Sequence, residues 1–247
     1  MEGAQAVREA LDWDGPVHEL FVTEAAAHRY PDLVERAGAR AARISPVADD
    51  AAAVLSETVT PQGMVAVCGL VDRPVAEVLD GAAFVAVCAG IADPGNVGTV
   101  IRVADAAGCD AVVLAGDTVD PHNGKAVRAS TGSLFHLPLA RDRDVGTVLR
   151  ACRDAGMATV VADARGEADL YGPDATAILT TPVAWVFGGE AHGPGADVLE
   201  AADHRVRVPI RGRAESLNLA TAAAVCLYAT VAARASTADQ DTGAVQP

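Results

Sequence analysis

Between residues 82 and 234 short apolar runs alternate with amphipathic stretches. The runs at 84–89, 111–115, 158–162, 183–187 and 206–210 are dominated by Val and Ala. Apolar runs of this length, bounded by turn signals, fit strands buried on both faces of a parallel sheet. Helical spacing occupies 97–107, 145–155 and 195–202 between them. This alternation predicts an α/β domain over 82–234. Residues 1–74 read as a smaller α/β unit. Its strands are predicted at 17–22, 41–44 and 64–70, and its helices at 24–36, capped by Thr23, and at 48–56. Thr60-Pro61-Gln62-Gly63 is a turn. Residues 75–81 read as a linker. The small polar residues of 235–247, with Gly and Pro, predict a disordered tail.

Composition narrows the picture. With 51% hydrophobic residues in 247, the chain can bury a substantial core. No stretch is long enough to cross a bilayer without charges, and no basic leader precedes an apolar run. The five cysteines lie in apolar runs with no CxxC pair, and the six histidines show no ligand spacing. These point to a reduced, cytoplasmic protein with no bound metal. A net charge of −14 by itself argues against a nucleic-acid partner. Yet the bases gather at particular places: Arg102, Lys125, Arg128, then Arg205, Arg207, Arg211 and Arg213. Charge distribution, rather than the total, decides what approaches.

Three loops follow predicted strands, where open α/β sheets bind ligands. The first holds Asn96, Gly98 and Arg102. Asn96 can cap a helix, and Arg102 can snorkel or pair with Asp105, so structural accounts stay open for both. No GxGxxG or Walker pattern supports a nucleotide fold. The second runs Phe187-Gly188-Gly189-Glu190-Ala191-His192-Gly193. A Glu among glycines at a strand end can take hydrogen bonds from a ligand or fix an Arg; His192 reads as a loop residue. The third runs from Val208-Pro209-Ile210 through Arg211-Gly212-Arg213 to Ser216-Leu217-Asn218-Leu219. Ser216 suits a helix start, whereas Asn218, a poor helix former, needs partners for its amide. A further loop, Lys125 to Ser133, reads either as a helix end or as part of a phosphate-facing wall.

In this order the patterns N-V-G-x-x-x-R, R-x-S-x-G, F-G-x-E-x-x-G and V-P-I…S-L-N-L-A resemble the SpoU/TrmH family of RNA ribose 2′-O-methyltransferases, over about residues 84–232. EGAQAVREAL and TPQGMVAV are similar to the ribosomal-protein-like RNA-recognition domain that often precedes that fold. The similarity starts just inside its usual first strand, so an incomplete first domain is expected. The resemblance implies an α/β methyltransferase domain with a trefoil knot, S-adenosylmethionine as cofactor, an RNA substrate and a homodimer. It assigns catalytic roles to Asn96, Arg102, Glu190, Ser216 and Asn218. It gives cofactor contacts to Gly188, Gly189, Val208, Ile210, Leu217, Asn218 and Leu219. Lys125, Arg128, Arg211 and Arg213 are the candidate RNA contacts. Ribosomal RNA, tRNA and a self-protecting resistance modification are all open as targets, and a non-catalytic RNA clamp is the rival from another class.

Overall fold

The structure is a computed structural model that describes residues 1–189 and 193–242, with side chains through Thr237. The first unit comprises α1 (Ala4–Asp12), β1 (Val17–Val22), α2 (Glu24–Arg29), α3 (Pro31–Ala39), β2 (Arg43–Pro46), α4 (Asp49–Leu55) and β3 (Met64–Cys68). β1 lies between β2, parallel to it, and β3, antiparallel. Thr23 caps α2, its hydroxyl accepting from the Ala26 N–H at 3.2 Å. The helix expected over 24–36 is in fact two. Pro31 disfavours helical backbone at Tyr30, whose φ is −129°, and then starts α3 as its first residue.

The second unit comprises β4 (Asp72–Arg73), α5 (Val75–Leu79), β5 (Phe84–Ala89), α6 (Pro94–Ala106), β6 (Ala111–Ala115), α7 (Gly124–Ser130) and β7 (Leu139–Asp142). It continues through α8 (Val145–Asp154), β8 (Ala158–Ala162), β9 (Ala168–Asp169), α9 (Pro173–Leu179), β10 (Val183–Gly188), α10 (Ala196–Ala201), β11 (His204–Arg207) and α11 (Leu219–Thr242). Its strands form a parallel sheet in the order β4-β7-β6-β5-β10-β8-β11-β9. The linker expected at 75–81 is instead α5, because Val75, Val78 and Leu79 share one helical face and the last two are buried against the sheet. Asp72 and Arg73, assigned to the first unit, pair with β7. The tail expected from 235 begins as helix, since no Gly or Pro intervenes before Gly243. The last strand ends at Arg207, so 208–210 is loop.

Alternate strand residues supply two cores. Phe84, Ala86 and Cys88 face one side, with α6, α9 and α11; Val85, Val87 and Ala89 face the other, with α5, α8 and α10. The first core continues into the first unit through residues such as Leu11, Leu20 and Met64. Four cysteines are buried, and burial pushes the Cys88, Cys109 and Cys226 thiols up to about 12.

Residues 219–237 of α11 are long and apolar enough to cross a membrane by length and composition. Here this helix lies on the sheet. Ala223, Cys226 and Leu227 are buried, and Trp185 Nε1 donates to Thr230 Oγ1 at 2.9 Å. Arg234 donates to the carbonyls of Ala83 and Thr181 at 3.0 and 2.8 Å and lies over the Phe84 ring.

Candidate active site

Strand order reverses between β5 and β10. From β5 the chain moves outward to β6 and β7, whereas β10 leads to β11 on the far side of β8. Ligands of open α/β sheets sit beyond the carboxyl ends of strands at such a point. A cavity of about 460 Å³ lies there, within the range of about 300–1,000 Å³ usual for small-molecule sites. Its walls come from 162–164 after β8, from Phe187 to Gly189 with Gly193 and Pro194 around β10, and from the loop after β11.

Gly188, Gly189, Val208, Ile210, Leu217, Asn218 and Leu219, the expected cofactor positions, all border this cavity. Two of them form a wall of bare backbone. A Cβ on Gly189 would lie 2.4 Å from the Gly90 carbonyl oxygen, and one on Gly188 would lie 2.2 Å from the Pro194 nitrogen. The opposite wall is apolar: Val208, Ile210, Leu217 and Leu219. Ile210 is 36% exposed, an aliphatic side chain left open at the cavity. Asp163, Glu215, Ser216 and Asn218 add polar groups. Asp163 and Glu215 were not singled out in the sequence. Their signal was position alone: one follows a buried strand's carboxyl end, the other precedes Ser216. Apolar walls, close backbone and a few carboxylates and amides suit a molecule with a flat purine, a ribose and a charged amino-acid tail, as S-adenosylmethionine has.

Asn218 has its partners. Its Oδ1 accepts from the N–H groups of Ala220 and Thr221 at 3.0 and 3.3 Å, and its carbonyl accepts from Ala222 at 2.9 Å. It is therefore the N-cap of α11. Ser216, expected at the helix start, lies in the exposed loop two residues before Asn218. The remaining amide group bonds across the cleft, Asn218 Nδ2 donating to Asn96 Oδ1 at 3.3 Å. Asn96 does not cap α6. Asp93 does, accepting from the Asn96 N–H at 2.9 Å. α6 and α11 run side by side in the same direction, since Tyr228 Oη, ten residues past Asn218, reaches the Ala106 carbonyl at 3.2 Å.

Arg102 lies six residues beyond Asn96, about 9 Å along the helix. It is exposed, and its Nη1 donates to Thr131 Oγ1 at 3.4 Å. Glu190 and His192 lie outside the described residues. The expected RNA contacts divide into two pairs. Lys125 donates to Asp93 at 2.6 Å, and that bond, with the Asn96 N–H, holds the Asp93 carboxyl below its usual range. Arg128 pairs with Glu57 at 3.2 Å and Glu2 at 3.7 Å in the first unit. Arg211 and Arg213 are exposed and make no ion pair among the described residues. Among the described residues no group of three or more His, Cys, Asp or Glu is arranged to hold a metal.

A parallel sheet with a glycine-walled cavity at its switch point, joined to a small α/β unit, defines a two-part α/β protein with a small-molecule site beside its cleft. Comparison with known proteins makes the class specific. Residues 83–228 match the SpoU rRNA Methylase family, and residues 1–72 match the RNA 2′-O ribose methyltransferase substrate binding family. The chain belongs to the SpoU rRNA methylase family. The 23S rRNA (guanosine(2553)-2′-O)-methyltransferase RlmP of Bacillus subtilis is 37% identical over 229 residues, 92% of this chain and 86% of that protein. An AdoMet-bound rRNA methyltransferase from Sinorhizobium meliloti superposes with a TM-score of 0.81 at 29% identity, covering 93% of this chain and 85% of that one. The SpoU methyltransferase AviRb from Streptomyces viridochromogenes, in complex with AdoMet, gives 0.82 at 30% identity, covering 96% and 90%.

Proposed function

We propose that this protein uses S-adenosylmethionine to methylate a ribose 2′-hydroxyl of ribosomal RNA. The observation that carries the reading is the bond between Asn96 and Asn218. It ties the start of α6, two turns from Arg102, to the wall of a cavity that suits the cofactor. The named relatives RlmP of Bacillus subtilis and RlmB of Bordetella pertussis are 23S rRNA 2′-O-methyltransferases, which favours ribosomal RNA over tRNA.

Gly188, Gly189, Val208, Ile210, Leu217, Asn218 and Leu219 would hold the cofactor. When bound, it supplies a methyl group on a positively charged sulfur. The protein's own residues must then bring a ribose oxygen into line and accommodate the negative charge that grows on it. Arg102 serves both ends. A guanidinium is a donor-only group and a poor base, so Arg102 orients the hydroxyl and its phosphate and stabilises charge. Asn96 and Asn218 fix the cleft between α6 and α11. The resemblance gives Glu190 the task of steadying Arg102 and Ser216 a place beside the substrate. Arg211 and Arg213 meet RNA phosphates, whereas Lys125 and Arg128 already spend their charge on Asp93, Glu57 and Glu2.

The first unit, from α1 to β3, recognises the RNA. The family resemblance implies a trefoil knot in the second unit, a reading supported by the path of the chain. The chain crosses β8 to lay down β11, then returns through 208–218 to pack α11 against α6 and β10. The family resemblance supports a homodimer working in the cytoplasm. The test is incubation with labelled S-adenosylmethionine and total RNA, followed by mapping of the methylated nucleotide. A 2′-O-methylated ribosomal nucleotide is expected, and label on a base or on protein would overturn the reading. Arg102→Ala should lower turnover by about 10²–10³-fold, the scale of losing one charge-stabilising donor, with cofactor affinity by calorimetry retained.

A further inference from the structure

Asp105 stands three residues after Arg102 on α6, a spacing at which a carboxylate and a guanidinium meet on a helix surface. An ion pair with Asp105 is within reach of such an arginine. Asp105 is instead taken by His136: Nδ1 lies 2.8 Å from Asp105 Oδ2, and Nε2 lies 3.1 Å from Glu9 Oε2. Glu9 belongs to α1 of the first unit. Two carboxylates on one imidazole favour the doubly protonated ring, which donates from both nitrogens.

Among the described residues Arg102 is left with a neutral acceptor, the Thr131 hydroxyl. Thr131 sits at the end of α7 with φ of +52°, and Gly132 follows with φ of +95°. A β-branched residue in that region is strained and must be held by its surroundings. Glu9 packs there: a Cβ on Gly132 would lie 2.3 Å from Glu9 Cγ. One side chain of the first unit thus supports both the turn that presents Thr131 and the histidine that occupies Asp105. The contrast is Arg128, whose charge Glu57 and Glu2 answer directly.

We infer that His136 is a positioning residue for methyl transfer: backed by Glu9, it engages Asp105 and so keeps the Arg102 guanidinium free of that carboxylate and open to the RNA. The inference rests on the assignment of Arg102 to the transfer step. It makes the first unit part of the active site's electrostatics as well as an RNA-recognition unit, because Glu9 of α1 backs the histidine that holds Asp105.

The experiment is steady-state methylation of an unmodified 23S rRNA transcript with labelled S-adenosylmethionine. His136→Ala releases Asp105 to Arg102 and should lower kcat about two- to fivefold, the worth of one exposed charge pair. Cofactor affinity by calorimetry should not move. Adding Asp105→Asn to His136→Ala removes the competing carboxylate and should return kcat to that of the unaltered protein. A merely structural histidine predicts a further loss, or no recovery. Should His136→Ala not fold, Glu9→Gln weakens the same hold and should show a smaller loss of kcat, recovered in the same way by Asp105→Asn. An unchanged kcat in His136→Ala, or a loss that Asp105→Asn does not reverse, overturns the inference. Full turnover by Arg102→Ala in the same assay overturns the assignment beneath it instead.

Discussion

At the scale of single residues, Asn218 does two jobs with two ends of one amide. Its oxygen caps α11 and its nitrogen reaches Asn96. The two can be separated because aspartate keeps the capping oxygen and loses the donor. Asn218→Ala removes both and should cost about 1 kcal/mol of stability, the usual worth of such a cap. Asn218→Asp should keep that stability, since a carboxylate near a helix N-terminus is favoured. It should still slow methyl transfer, because a carboxylate now faces the Asn96 side-chain oxygen Oδ1. Thermal melts alongside kcat/KM distinguish the two, and equal activity in Asn218→Asp and the unaltered protein would remove the cross-cleft bond from the mechanism. The sequence marked Asn218 as a polar residue in want of partners. It did not reveal that the helix starts one residue later, because Ser216 satisfies the same local rule as Asn218 and only tertiary contact chooses between them.

At the scale of elements, the motif glycine Gly98 sets how closely α6 and α7 approach. A Cβ there would lie 2.3 Å from the Ala126 carbonyl oxygen and 2.7 Å from the Ala129 side chain. Backbone cannot yield as a flexible side chain can, so Gly98→Ala should destabilise by about 1–3 kcal/mol, as overpacked sites do. Urea titration measures this as a lower midpoint with unchanged slope. The displacement of α7 would also move Thr131 away from Arg102. Long apolar strands such as β5, β6 and β10 were legible because burial on both faces imposes an apolar run. β4 and β9, two residues each, carry no period to read. β7 was hidden by Arg141 and Asp142 at its end, and α5 by a length of five residues. Of the site, the loops after β5, β10 and β11 were legible through their unusual residues. The carboxylates of Asp163 and Glu215 were not, since nothing local distinguishes a cavity-facing acid from a solvated one.

At the scale of the whole molecule, charges decide how the two units hold together and how RNA is met. The hydrogen bond to Asp105 raises the His136 pKa above its ordinary 6.5; partial burial opposes this and the Glu9 bond adds to it. A folded value above the unfolded one means that the bridge contributes fully below the ordinary value and loses its contribution as pH rises through the raised one. The melting-temperature gap between the unaltered protein and His136→Ala should therefore be widest near about pH 5 and narrow toward about pH 8. Carboxylates held below their usual range, such as Asp203, lose their contribution in the opposite direction, but they are common to both proteins and drop out of the difference. RNA binding has the other sign of problem. With a net charge of −14 the surface as a whole repels a polyanion, so attraction must come from the few cations that no carboxylate answers. Among the described residues Arg211 and Arg213, in the loop that borders the cavity, are in that state, whereas Lys125 and Arg128 are not. Each phosphate neutralised adds about 0.7–0.9 to the slope of log affinity against log salt, so Arg211→Ala with Arg213→Ala should flatten that slope by about 1.4–1.8. Fluorescence anisotropy of a labelled rRNA fragment across a salt series reads this directly, with cofactor affinity as the control for folding. The same measurement on Lys125→Ala should leave the slope nearly unchanged, because that charge is already spent on Asp93; an equal flattening there would mean that the protein opens its own ion pairs to grip RNA.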